Sequence, residues 1–167
     1  MQPEHAGLLK QLRVAFPPEP IRAAGAFSEW GVTYLDIEPY SQHIDGKTWE
    51  QLDRAYVITR SDAIGFLGTQ HLIAVLPVYL RSLLEEGVWS VALYSVLSIL
   101  TKPGPEKKTG IKLPRFQALV EALTPAQRTV IAAILRAFAA TDEGGTPGTE
   151  ACLAIESYWK PYLPDGP

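Results

Sequence analysis

Residues 68–87, GTQHLIAVLPVYLRSLLEEG, constrain the fold more than any other part of the chain. Leucine, valine, isoleucine and tyrosine recur there at helical spacing around most of the circumference, and such a helix must be covered on nearly every side. Pro77 stands in the middle, where it removes one amide donor and crowds the preceding turn. The stretch therefore predicts a buried central helix over about residues 69–86 that is kinked at Pro77.

Two capping boxes mark the starts of further helices. Thr48 and Gln51 are three positions apart, as are Thr124 and Gln127, and Pro125 follows the second threonine directly. In a capping box the hydroxyl and the amide side chain satisfy free backbone donors reciprocally, and proline suits the first helical position. Both sites indicate helices that begin just after the threonine.

The remaining pattern favours an all-α fold. The apolar run at residues 88–100 does not distinguish a buried helix from a strand by periodicity, but its length favours a helix. The residues VTYLDI, at positions 32–37, suit a pleated surface, so we expect one short extended segment there at most. With 167 residues, the chain is expected to form one compact multi-helix domain, residues 1–167, around the Pro77 helix.

Composition indicates an ordinary globular protein. Hydrophobic residues make up 47% and charged residues 20% of the chain, and the net charge of −3 makes nucleic acid an unfavourable partner. The single cysteine, Cys152, is interpreted as a small core residue, and a lone cysteine fits a reducing compartment. The longest unbroken apolar run, residues 72–80, is too short to span a membrane, so we predict a cytoplasmic protein.

Three quoted stretches resemble a known group of sequences. They are GKTWEQL, SDAIGFLGTQHLIAVLPVYLRSLL and LTPAQRTVIAAILRAF, which together span residues 46–138. In order and spacing they resemble an uncharacterised family of small bacterial proteins with Lys/Arg-x-Trp-x-x-Leu, Asp-Ala-x-x-Phe-Leu, Leu-Pro-x-Tyr/Phe-Leu and Leu-Thr-x-x-Gln elements. The resemblance implies a bacterial, mostly helical protein and implies no activity.

Motifs for common enzyme chemistry are absent from the sequence. There is no dinucleotide-binding glycine pattern, no phosphate-binding loop, no His-Glu-x-x-His and no Gly-x-Ser-x-Gly elbow. Three histidines and one cysteine make a multi-ligand His/Cys metal site an unfavourable interpretation. We therefore assign no catalytic residues, no metal and no cofactor.

The acidic segment, residues 29–53, is the strongest candidate for a binding surface. It carries six acids against Lys47, a net charge of −5, with aromatic residues interleaved. Aromatic anchors ringed by carboxylates suit a basic partner protein, so we predict a non-enzymatic protein-binding module, such as a bacterial immunity protein that inhibits a basic toxin. The predicted partner-binding residues are Glu29, Trp30, Tyr34, Asp36, Glu38, Tyr40, His43 and Asp45.

Two other functions are open at this point. A small enzyme would use His43, Asp45 and His71 converging in a pocket, with His71 in the first turn of the central helix. A structural subunit of a helical oligomer would expose an apolar stripe on residues 88–100. A basic segment, residues 101–115, carries a net charge of +4 and is interpreted as a solvated loop or face.

Overall fold

The structure is a computed structural model that describes residues 3–31, 37–85, 91–104, 110, 112–141 and 146–164. All regular secondary structure within these ranges is helical, which confirms the predicted all-α fold. Short 3₁₀ turns cover Trp49–Gln51, Ala63–Gly65 and Lys160–Tyr162. The α-helices are α1 Pro3–Ala15, α2 Ile37–Ile44, α3 Arg54–Thr59, α4 Thr69–Leu84, α5 Val91–Leu100, α6 Lys112–Ala122, α7 Pro125–Thr141 and α8 Thr146–Ala154.

Helix α4 is the central helix, as the apolar stretch predicted. Eleven of its 16 residues are buried, Pro77 lies inside it, and it packs against α1, α3, α5, α6 and α7. The buried hydrophobic residues form one cluster to which all eight of these helices contribute. The assignment of residues 1–167 to a single domain stays a prediction.

Both predicted capping boxes are present in the structure. The Thr124 amide donates to the Gln127 side chain at 2.9 Å, and the Gln127 amide donates to the Thr124 hydroxyl at 3.2 Å. The Thr48 amide donates to the Gln51 side chain at 2.8 Å in the same way. Gly46 follows the end of α2 with a φ of +74°, a left-handed conformation that favours glycine.

Two expectations differ from the structure. Ile37 opens helix α2 instead of ending an extended segment, and residues 32–36 lie outside the described residues. Cys152 is exposed, so its interpretation as a core residue was wrong. Helix α8 turns Ala151 and Ala154 into the core, which leaves Cys152 and its neighbour Leu153 on the outer face.

The chain after α8 continues into a π-helical turn, Ile155–Trp159, that packs against α7. Trp159 is fully buried, and its Nε1 donates to the Leu100 carbonyl at 2.6 Å.

In the described part of the chain, no single helix is long and apolar enough to cross a bilayer. Helices α6 and α7 taken together have the required length and apolar composition, but the chain bends by 117° between them.

Candidate functional site

Glu29, the first acid of the acidic segment, caps the central helix. One carboxylate oxygen accepts from the Thr69 amide at 2.6 Å, and the other accepts from the Thr69 hydroxyl at 2.6 Å. The first amides of a helix have no partner within the helix, and the helix dipole favours a negative charge at this end. The Glu29 carboxylate therefore serves the fold at a distance of 40 residues along the chain.

The other described acids of the segment are also bound within the chain. Asp45 accepts from the Ala23 amide at 2.9 Å, and Glu50 pairs with Arg13 of α1. Asp53 is the N-cap of α3, and the hydrogen bond from the Tyr56 amide is the main cause of its lowered pKa. Each of these carboxylates thus has an internal partner before any other protein approaches.

The aromatic residues of the segment divide between core and surface. Tyr40 is fully buried, and its hydroxyl lies 3.2 Å from the Tyr56 hydroxyl, so its predicted place on a binding face does not hold. Trp49 is also buried, with Nε1 donating to the Phe16 carbonyl at 2.8 Å. Trp30 is half-buried, and its ring lies 5.8 Å from the Arg115 guanidinium carbon.

Three predicted binding residues carry no side-chain description. Tyr34 and Asp36 lie outside the described residues, and Glu38 is described only as part of the backbone of α2. Of the predicted partner-binding residues, those with described side chains all have contacts within the chain, and the other three cannot be placed on a face.

His43 lies half-buried on α2 beside the Tyr56 ring, with 5.4 Å between the ring centroids. Burial lowers the pKa of His43, and the nearby charges of Lys47 and Arg60 lower it further, while Asp53 acts in the opposite direction. The environment therefore favours the neutral imidazole.

Asp45 and His71 form hydrogen bonds with opposite sides of one peptide group, the one between Arg22 and Ala23. The Nε2 of His71 donates to the Arg22 carbonyl at 2.9 Å, whereas Asp45 accepts from the Ala23 amide. The carbonyl and amide of a trans peptide point in opposite directions, so the two side chains face each other across the chain and do not touch. With His43 against Tyr56, the structure does not bring together the three residues that the alternative of a small enzyme would use.

The same contacts shape an open cleft over Pro77, which we call the Pro77 cleft. Its volume is about 420 Å³. One wall is the non-helical segment at residues 16–22, and the floor is the face of α4 that carries Ile73, Ala74 and Pro77. Polar side chains stand on the rim: Glu19, Arg22, Gln70, His71 and Gln127.

Pro77 and His71 each determine one feature of the hydrogen bonding at this cleft. Pro77 has no N–H, so the Ile73 carbonyl lacks its usual donor on the helix face that forms the floor. Because the Arg22 carbonyl can only accept, the proton of this hydrogen bond is on Nε2 of His71. The sequence singles out Pro77 and His71 separately. It contains no signal that residues 16–22 pack against them to form a wall of the cleft.

Replacing Glu29 by Gln is expected to lower the free energy of unfolding by about 1 kcal/mol, because the cap loses its charge at the N-terminus of α4. Urea denaturation near neutral pH measures the change. The matched control is Glu121→Gln, since Glu121 is exposed and makes no hydrogen bond or ion pair with the described residues; there we expect a change within about 0.5 kcal/mol. Equal losses in the two variants would contradict the cap.

The lowered pKa of His43 predicts a pH-dependent contribution to stability. The unfolded chain takes up the proton more readily than the folded one, so the free energy of unfolding falls as the pH drops below about 6.5. Replacing His43 by Gln should make this fall shallower between about pH 7.5 and pH 5.5, as measured by urea denaturation. His5 and His71 are present in both proteins, so identical pH slopes would show that His43 contributes nothing.

The described residues contain no group of three or more His, Cys, Asp or Glu side chains able to hold a metal ion. No curated protein and no solved structure matches the chain. The model of a family of unknown function, DUF6714, matches residues 21–163, and the chain belongs to that family.

Proposed function

We propose that this member of the family is a non-enzymatic protein-binding module that holds a segment of its partner in the Pro77 cleft. The observation that carries the proposal is the cleft itself: about 420 Å³, open, with an apolar floor on α4 and polar groups on the rim. Sites that bind small molecules or partner side chains have this size and this arrangement of apolar and polar groups.

The cleft suits a segment that donates hydrogen bonds. The carbonyl of Ile73 is an acceptor that has lost its usual donor, and Ala74 and Pro77 offer apolar contact beside it on α4. Backbone amides of an extended peptide, together with one apolar side chain, complement such a surface. The floor is part of the buried central helix, so it is rigid and needs little ordering on binding.

Charge favours a basic partner at long range more than inside the cleft. Glu19 and Arg22 on the rim carry opposite charges and cancel each other. The chain as a whole carries a net charge of −3, which accelerates the approach of a basic protein. The role that fits these features is an inhibitor of a basic toxin or effector in a bacterial cytoplasm, a step that rests on analogy of form.

The test is selection of peptides from a random displayed library on the wild-type protein, with counter-selection on an Ala74→Phe variant. The phenylalanine ring fills the floor of the cleft, so selected peptides should bind the variant at least about tenfold more weakly, since steric exclusion removes more than 1.4 kcal/mol of contact. Lys and Arg should be enriched in the selected peptides.

The matched control is Ala122→Phe, which adds the same ring to an exposed position at the end of α6, away from the cleft. It should bind the selected peptides as the wild type does. Circular dichroism and thermal unfolding should show that both variants are folded. Selection that yields no peptide, or peptides that bind the Ala74→Phe variant equally well, would contradict the proposal.

A further inference from the structure

A second cavity lies on the other side of the central helix and is lined by residues that the proposed function does not use. It has a volume of about 240 Å³ and lies between the end of α5, the start of α6 and the turn Ala63–Gly65. We call it the α5–α6 cleft. Lys112 and Arg115, from the segment interpreted as a solvated basic face, both line it.

Arg115 is a half-buried cation that has no ion-pair partner among the described residues. Its two terminal nitrogens donate to backbone carbonyls, one to Gly65 and one to Leu67 at 3.2 Å. Burial lowers its pKa, and the negative charge of Glu29 offsets this in part. Buried charges in proteins are usually paired with an opposite charge. Because Arg115 forms no ion pair with the described residues, its positive charge is only partly balanced.

Lys112 adds a second positive charge at the first position of α6. Its side chain is exposed on the edge of the α5–α6 cleft and forms no ion pair with the described residues. The positive end of the α6 dipole lies at the same place, so three sources of positive potential meet there.

The floor of this cleft is apolar. Leu72 of α4, Ile99 of α5 and Phe116 of α6 line it, and the Ser98 hydroxyl stands beside them. A ligand in this cleft would bury its apolar part against these three hydrophobic side chains, while one end of it would lie near the charges of Lys112 and Arg115. Asp62, the one acid of the lining, is exposed and opposes a negative ligand.

We propose that the α5–α6 cleft binds a small organic anion, a carboxylate carried on a short apolar body, with the carboxylate at Lys112 and Arg115 and the body on Leu72, Ile99 and Phe116. This site is separate from the Pro77 cleft, and the proposal does not depend on the binding of a protein partner. Its geometry also distinguishes it from a bare anion site, since inorganic phosphate would leave the apolar floor uncovered.

The probe is 3-phenylpropionate, titrated calorimetrically into the full chain, with uncharged 3-phenylpropanol and inorganic phosphate as comparison ligands. We expect saturable binding of 3-phenylpropionate that is tighter than that of either comparison ligand. Lys112→Gln should weaken it about two- to fivefold, the scale of an exposed charge interaction, and Asp62→Asn should strengthen it by a similar factor. Both residues are exposed, so neither change threatens the fold.

The Ala74→Phe variant is the control for location, because it blocks the Pro77 cleft and should leave the affinity for 3-phenylpropionate unchanged. The proposal is overturned if 3-phenylpropionate gives no saturable heat, if 3-phenylpropanol or phosphate binds as tightly, or if the affinity is the same in Lys112→Gln and Asp62→Asn as in the wild type. Loss of binding in Ala74→Phe would place the ligand in the Pro77 cleft and would also overturn it.

Discussion

The hydrogen bonds from Thr69 to the Glu29 carboxylate are the interaction on which the rest of the structure depends. Helix α4 is buried over most of its surface, so its first amides need partners from within the protein. Glu29 accepts from the first of these, the Thr69 amide, and from the Thr69 hydroxyl, and beside it the Gly68 amide donates to the Ala26 carbonyl at 2.7 Å. A Cβ on Gly68 would lie 2.7 Å from a Glu29 carboxylate oxygen, so this approach requires glycine for space and not for its backbone angles.

This cap fixes the segment at residues 21–31 over the start of α4, and both clefts follow from its position. On one side, His71 and Asp45 form hydrogen bonds with the peptide group between Arg22 and Ala23, and these bonds hold the wall of the Pro77 cleft in place. On the other side, Trp30 lies against Arg115, whose guanidinium reaches the carbonyls beside the α5–α6 cleft. One carboxylate therefore organises two surfaces on opposite sides of the central helix.

Sequence reasoning succeeded where the physics is local. Apolar periodicity located α4, and the Thr124–Gln127 box located the start of α7, because both depend on residues within a few positions of each other. The capping role of Glu29 and the burial of Tyr40 were not predicted, because a cap 40 residues away and a buried hydroxyl pair are products of tertiary packing. The two clefts lie between elements that are distant in sequence, so no local motif predicts them. Pro77 and His71, which the sequence singled out, both line the Pro77 cleft.

Glu29, bonded to Thr69 and lying against Gly68, holds the segment that shapes the Pro77 cleft. The most direct measurement is amide hydrogen exchange of residues 21–31 in Gly68→Ala, beside Gly65→Ala, where an added Cβ meets nothing within 4 Å. Displacing Glu29 should accelerate exchange at the Ala23 and Ala26 amides in Gly68→Ala and leave it unchanged in Gly65→Ala. Equal exchange of those amides in the wild type and in Gly68→Ala would contradict this role of Glu29.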